Sequence, residues 1–131
     1  MVARILFILA AAYTGLITWL SLTHLGKISI GGFNPTDKML HAGAYLFLML
    51  LWKSYFIFRN EKNEAYRSNL LWVGLGCVLF GMLIEVLQGT MTSYRTPDWW
   101  DVLANSTGIA IAALFLIVLA PKIINWKQKI V

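Results

Sequence analysis

The sequence predicts an all-α, polytopic membrane protein: four transmembrane helices in an up-down bundle, with both termini cytoplasmic. Three observations predict it. The 131 residues are 59% hydrophobic and only 13% charged, against about 45–50% and about 25% in soluble domains. The apolar residues fall into four blocks, about 5–25, 39–58, 70–89 and 102–119. Each block holds about 18–21 residues, which at a rise of about 1.5 Å per residue matches a hydrocarbon layer of roughly 30 Å. Lys and Arg are unevenly divided between the connectors, as in a chain with a preferred orientation.

The first block runs from Ile5 to Leu25. Arg4 and the small residues Ala10–Ala12 suggest a signal peptide, but the apolar run exceeds the usual h-region of about 7–15 residues, so a retained helix is expected. The second block, Met39–Phe58, follows a connector with the turn signals Gly31-Gly32 and Asn34-Pro35. The third, Leu70–Gly89, follows a polar connector of mixed charge, Arg59, Glu61, Lys62, Glu64 and Arg67, which reads as a solvated loop. The fourth runs from Val102 to Leu119, and Pro121 is expected to close it. No helix is expected to carry an internal proline break of the kind many carriers use, and the chain is short for a transporter. The whole of 1–131 reads as one domain.

Arg4, Lys53, Arg59, Lys62, Arg67, Lys122, Lys127 and Lys129 gather on one side, against Lys27, Lys38 and Arg95 on the other. The richer side is expected to face the cytoplasm of a cell whose inner membrane the chain crosses. Trp19, Trp52, Trp72, Trp99, Trp100 and Trp126 fall mostly near helix ends, where an interfacial belt belongs. The net charge of +5 does not indicate nucleic-acid binding, because the basic residues separate apolar blocks instead of lining a soluble face. Cys77 is the single cysteine, so there is no intrachain disulfide and no zinc-type cysteine cluster.

The polar residues on the poorer side come at helical spacings. Asp37, Lys38 and His41 open the second helix, with Thr36 or Asp37 as its cap. Asp37 and His41 are four apart and share a face, and Tyr45 is one turn deeper. An imidazole at the lip of a membrane helix can anchor there or move protons near neutral pH. Glu85 and Gln88 share a face near the end of the third helix, and a carboxylate at membrane depth is expected to face the bundle and find a partner. Arg95, Asp98, Asp101 and Asn105 open the fourth helix. Asp98 or Asp101 can cap it, Arg95 is the natural counter-ion for Glu85 or an aspartate, and Gly108 would admit a neighbouring helix. In an up-down bundle these groups come to one mouth, at which two helix N-termini favour an anionic ligand.

Asp37-Lys38-Met39-Leu40-His41, Glu85-Val86-Leu87-Gln88 and the run Arg95-Thr96-Pro97-Asp98-Trp99-Trp100-Asp101 through Asn105 to Gly108 together resemble the VanZ-like family over nearly the whole chain. The resemblance implies a small bacterial membrane protein of the cell envelope. It also implies kinship with a namesake linked to resistance against glycopeptide antibiotics such as teicoplanin. It carries no particular reaction.

Three functions remain open from the sequence. In an envelope enzyme, His41, Glu85, Asp98 and Asp101 would be the catalytic candidates, with Glu85 or Asp98 as general base and His41 as acid or base. Asp37, Lys38, Gln88, Arg95 and Asn105 would bind the ligand, Arg95 holding its anion. In a binding module the same groups would capture an anionic lipid-linked envelope precursor or a glycopeptide. In a structural protein they would only fix helix register, with function lying in a partner. Paired carboxylates can hold a divalent cation, but no metal or other cofactor is assigned, since the acids come from separate helices. Membrane lipids are the expected surroundings, nucleic acid is not an expected partner, and oligomeric state is not readable.

Overall fold

The computed structural model describes residues 1–23, 36–59 and 62–130. Four helices account for nearly all of them: α1 Val2–Leu22, α2 Asp37–Arg59, α3 Tyr66–Met91 and α4 Trp99–Ile130. A short 3-10 turn, Asn63–Ala65, precedes α3. Each helix is long and apolar enough to cross a membrane. Large apolar side chains stay exposed along all four, among them Ile8 and Leu9, Phe47, Leu71, Leu75, Leu79 and Leu83, and Leu114, Phe115 and Val118. A soluble monomer rarely exposes so much contiguous apolar surface, whereas lipid tails cover it at no cost. The chain is a multi-pass membrane protein.

Contacts between specific levels establish the up-down order. Phe7 near the start of α1 stacks on Trp52 and Tyr55 near the end of α2, so these helices are antiparallel. The start of α2 meets the start of α4 through Lys38 and Asp98, so those two are parallel. The end of α3 meets the start of α4 through Glu85 and Asp98. The start of α1 and the end of α4 therefore lie at one end, here the terminal end, and the starts of α2 and α4 lie at the other, here the site end. α2 is the central helix and packs most extensively against α4. A Cβ on Gly108 of α4 would overlap the carbonyl oxygen of Ala42 on α2, so the two backbones touch, as small residues allow in membranes. The apolar core joins Ile17 of α1, Tyr45, Leu48 and Met49 of α2, Leu70, Val73 and Cys77 of α3, and Ile109, Ala112 and Leu116 of α4.

Two expectations are corrected. Pro121 does not close the fourth helix, because α4 passes through it and continues to Ile130. Proline forfeits only its own bond to the carbonyl four residues back, and at the edge of a bilayer every other backbone group still needs an intrahelical partner. Packing holds the extension, through the edge-to-face pair of Phe58 and Trp126 and the bond from Lys127 to Asn63. α4 thus carries an internal proline, but the helix is continuous through it. The helices also start earlier or end later than the apolar blocks, at Asp37, Tyr66, Met91 and Trp99, because polar residues can occupy helix ends outside the hydrocarbon. α1 ends at Leu22, with Thr23 extended. The expected continuation to Leu25, Lys27 and the turn signals of residues 31–35 lie outside the described residues.

Candidate functional site

The site end begins with two capped helix starts. Thr36 Oγ1 accepts the backbone N–H of Met39 at 3.2 Å, so Thr36 caps α2 and Asp37 is left to other partners. Asp98 Oδ1 accepts the backbone N–H of Trp100 at 2.9 Å and caps α4. Both are the side-chain oxygens that free N–H groups of a first turn require.

Around these caps four carboxylates, two cations and one imidazole interlock. Lys38 Nζ bonds Asp98 Oδ2 at 2.6 Å and also reaches Asp101 Oδ1. Arg95 bonds Asp37 Oδ1 at 3.1 Å. The ring of His41 lies between α2 and α4: Nδ1 is 3.0 Å from Asn105 Oδ1, while Nε2 faces Asp101 Oδ2 at 3.6 Å and Asp37 Oδ2 at 3.9 Å. Glu85 Oε2 accepts the backbone N–H of Asp98 at 3.3 Å. The Lys38 ammonium and the Trp100 N–H hold the Asp98 carboxyl below the ordinary carboxylate range.

Burial grades across the cluster. Glu85, Asp101 and Asn105 are buried, and His41 is nearly so. The side chains of Asp37, Lys38 and Asp98 are 51%, 41% and 40% exposed, so the cluster opens to the surface. Trp99 and Trp100, both exposed, flank the opening as interfacial anchors would. Behind it, Tyr45 Oη, Glu85 Oε1 and Asn105 Nδ2 are buried without a hydrogen-bond partner among the described residues. These three atoms come from three helices. Gly81, one turn before Glu85, makes room for them: a Cβ there would sit 3.0 Å from the Tyr45 ring and 3.1 Å from Asn105 Nδ2.

The structure thus brings together Asp37, Lys38, His41, Glu85, Arg95, Asp98, Asp101 and Asn105. It does not bring Gln88 to them. Gln88 Nε2 donates to Ser21 O at 2.7 Å, and Tyr94 Oη donates to Leu22 O at 2.5 Å. Both satisfy last-turn carbonyls of α1, which have no partner within the helix. Tyr45 stands in the cluster's floor although the sequence marked it only as one turn deeper. The His41–Tyr45 and Gly81–Glu85 spacings of four residues were the signal. Lys53, which reads as a topology charge, is 1% exposed. Its ammonium bonds Tyr66 O at 2.6 Å and lies 4.0 Å from the Tyr66 ring centroid.

A cavity of about 360 Å³ lies elsewhere, between α1, α2 and α3, lined by Leu48, Trp52, Phe56, Trp72, Val73 and Phe80 among others. None of its lining residues belongs to the polar cluster. Size alone does not make it the functional site, since its wall is almost wholly apolar and lacks the convergent polar groups that fix a ligand. The convergent polar groups are at the site end.

The sequence profile of the VanZ/LLP1 family matches residues 5–120. The chain belongs to the VanZ/LLP1 family. No curated protein and no solved structure matches it. In this VanZ/LLP1 chain the match takes in all four helices and every residue of the polar cluster, while the part of α4 beyond Pro121 lies outside it.

Proposed function

We propose that the site end binds the phosphate-bearing headgroup of a lipid-linked envelope precursor at the non-cytoplasmic face of the inner membrane. The observation that carries this reading is the gradient within one cluster, from half-exposed Arg95, Lys38, Asp37 and Asp98 to buried His41, Asp101 and Glu85. Arg95 and Lys38 hold exposed carboxylates in the free protein. Such exposed pairs are worth only about 0–1 kcal/mol, so a phosphate can take Arg95 from Asp37 at small cost and can displace Asp98 from Lys38 while Lys38 stays on buried Asp101. The helix starts of α2 and α4 add favourable dipole ends. Exposed Trp99 and Trp100 beside the cluster in sequence suit a ligand whose tail stays in the bilayer. His41, Glu85, Asp98 and Asp101 are the groups available for proton transfer should the bound lipid react.

The test is binding of a polyprenyl phosphate to purified protein in nanodiscs, followed by native mass spectrometry. Saturable binding that drops at least tenfold in Arg95→Gln and Lys38→Gln, with the fold intact, is the expected result. Equal binding by both variants and wild type refutes the reading. A lipid-tailed glycopeptide in the same assay separates that ligand from the precursor.

A specific observation favours a second reading, a polar clasp that only fixes the helix ends. Gln88, Tyr94 and Glu85 each tie one chain segment to another. A clasp requires Glu85→Gln to lower the melting temperature. An unmoved melting temperature together with lost lipid binding separates the first reading from it.

A further inference from the structure

One donor atom from each of Asp37, His41 and Asp101 lies within 4.8 Å of the other two. The way each is held is more telling than the proximity. Asp37 gives Oδ1 to Arg95 and turns Oδ2 toward His41. Asp101 gives Oδ1 to Lys38 and turns Oδ2 toward the same ring. His41 gives Nδ1 to Asn105 Oδ1. An amide oxygen only accepts, so Nδ1 is the donor in that bond, and Nε2 is the ring nitrogen that faces the two carboxylate oxygens. Three electron-rich atoms converging in this way require a proton or a metal ion shared among them. Each also has the outer partner that orients a metal ligand: a cation on each carboxylate, and an acceptor on the far ring nitrogen.

A second observation points the same way. Glu85 Oε1 is buried without a partner, although its carboxylate is anchored to Asp98 N and lies within electrostatic range of Asp101 and His41. A buried acceptor of this kind can take a water carried by a nearby ion. Charge agrees, because four carboxylates, Asp37, Glu85, Asp98 and Asp101, stand against two cations, Lys38 and Arg95. The deficit of two charges matches one divalent ion.

The geometry points to a divalent transition-metal site, Zn²⁺ or Mn²⁺, ligated by Asp37 Oδ2, His41 Nε2 and Asp101 Oδ2. One imidazole with two carboxylates suits these ions better than Ca²⁺ or Mg²⁺, which prefer all-oxygen shells. Donors about 2.0–2.2 Å from a tetrahedral ion are separated by roughly 3.4 Å. His41 Nε2 lies 3.6 Å from one carboxylate oxygen and 3.9 Å from the other, so these two approaches need shifts of a few tenths of an ångström, and the two carboxylates lie within 4.8 Å of each other. Half-exposed Asp37 leaves the ion open to solvent or ligand. A bound cation would also reconcile an acidic site with the phosphate ligand proposed above, but the metal assignment stands on its own donors.

The experiment uses full-length, tag-free protein in detergent, stripped with chelator and titrated with Zn²⁺ or Mn²⁺ without added lipid. Calorimetry gives the affinity, and elemental analysis gives the stoichiometry after desalting. Wild type is expected to take about one ion per chain. Asp37→Asn, at an exposed position that does not endanger folding, and His41→Gln are expected to lose it. Asn105→Leu is expected to bind about 10- to 100-fold more weakly, while Glu64→Gln at the terminal end binds like wild type. Wild type binding no more ion than His41→Gln, or Asp37→Asn and His41→Gln both binding like wild type, overturns the site. Since no lipid is present, metal binding with failed polyprenyl-phosphate binding removes the proposed function alone, and the converse removes only the metal.

Discussion

The two ends of the bundle solve the same problem, polar groups inside a membrane protein, in opposite ways. At the terminal end Lys53 is buried against a backbone carbonyl and the face of Tyr66, and Tyr66 in turn donates to Leu116 O at 2.8 Å. This arrangement ties α2, α3 and α4 together. At the site end the polar groups are mostly ionisable, share partners across helices, and leave buried oxygen and nitrogen atoms without a hydrogen-bond partner among the described residues. A finished anchor satisfies what it buries, because an unpaired polar atom costs about 1–3 kcal/mol. Unsatisfied buried atoms call for an explanation, such as a bound water, an ion or a chemical role.

The largest break in this comparison should come from the α2–α4 seam. Gly108→Val places a side chain on the Ala42 carbonyl, and no rotamer relieves a clash with backbone. A loss of about 3 kcal/mol or more is expected, read as reduced thermal stability and monodispersity in detergent. Equal stability of variant and wild type would show that α2 and α4 do not meet there.

Next is Asp101→Leu. It leaves the Lys38 and His41 side chains without their buried partner, and removing one member of a buried pair costs about 3–5 kcal/mol. Half-exposed Lys38 can still reach Asp98, so the lower figure is expected, measured by chemical denaturation.

Lys53→Met should contrast with it. The substitution keeps the length of the buried stem and removes a desolvated charge. Tyr66 O retains its helical role, so a change within about 1 kcal/mol is expected, of either sign. A loss as large as that of Asp101→Leu would erase the distinction between the two ends.

The smallest effect is a pH dependence. Asp98 has a lowered folded-state value, caused first by Lys38 and then by the Trp100 N–H. A lowered carboxylate stabilises the fold above its ordinary value, and that contribution disappears as pH falls through the folded value. Wild type should therefore lose stability more steeply than Asp98→Asn as pH falls below the ordinary carboxylate range of about 4, in parallel melting curves. Matching slopes would remove the Lys38–Asp98 bond from the account.

Much of this was legible in the sequence. The four apolar blocks predicted the helices, and the spacings 37–41, 85–88 and 101–105 placed the acids, the imidazole and the amides near one end. The partner of each group was not legible. Arg95 was a counter-ion for Glu85 or an aspartate, and only the turn of the α3–α4 connector sets it on Asp37. Gln88 shares a face with Glu85 by helical count, yet three residues span enough of a turn for one to face α4 and the other α1. Lys53 resembled a topology charge because burial cannot be read from residue type when the neighbours are unknown.

The sequence by itself determined that the chain spans a membrane as helices and that its polar chemistry gathers at the starts of α2 and α4 and the end of α3. Those outcomes follow from apolar length and helical period, which are local along the chain. Only the tertiary structure decided that α4 continues past Pro121, that Lys53 is buried, and that Asp37, His41 and Asp101 turn their free donor atoms toward a common point. These depend on helix rotation and on the close approach at Gly108, which contacts between distant segments set.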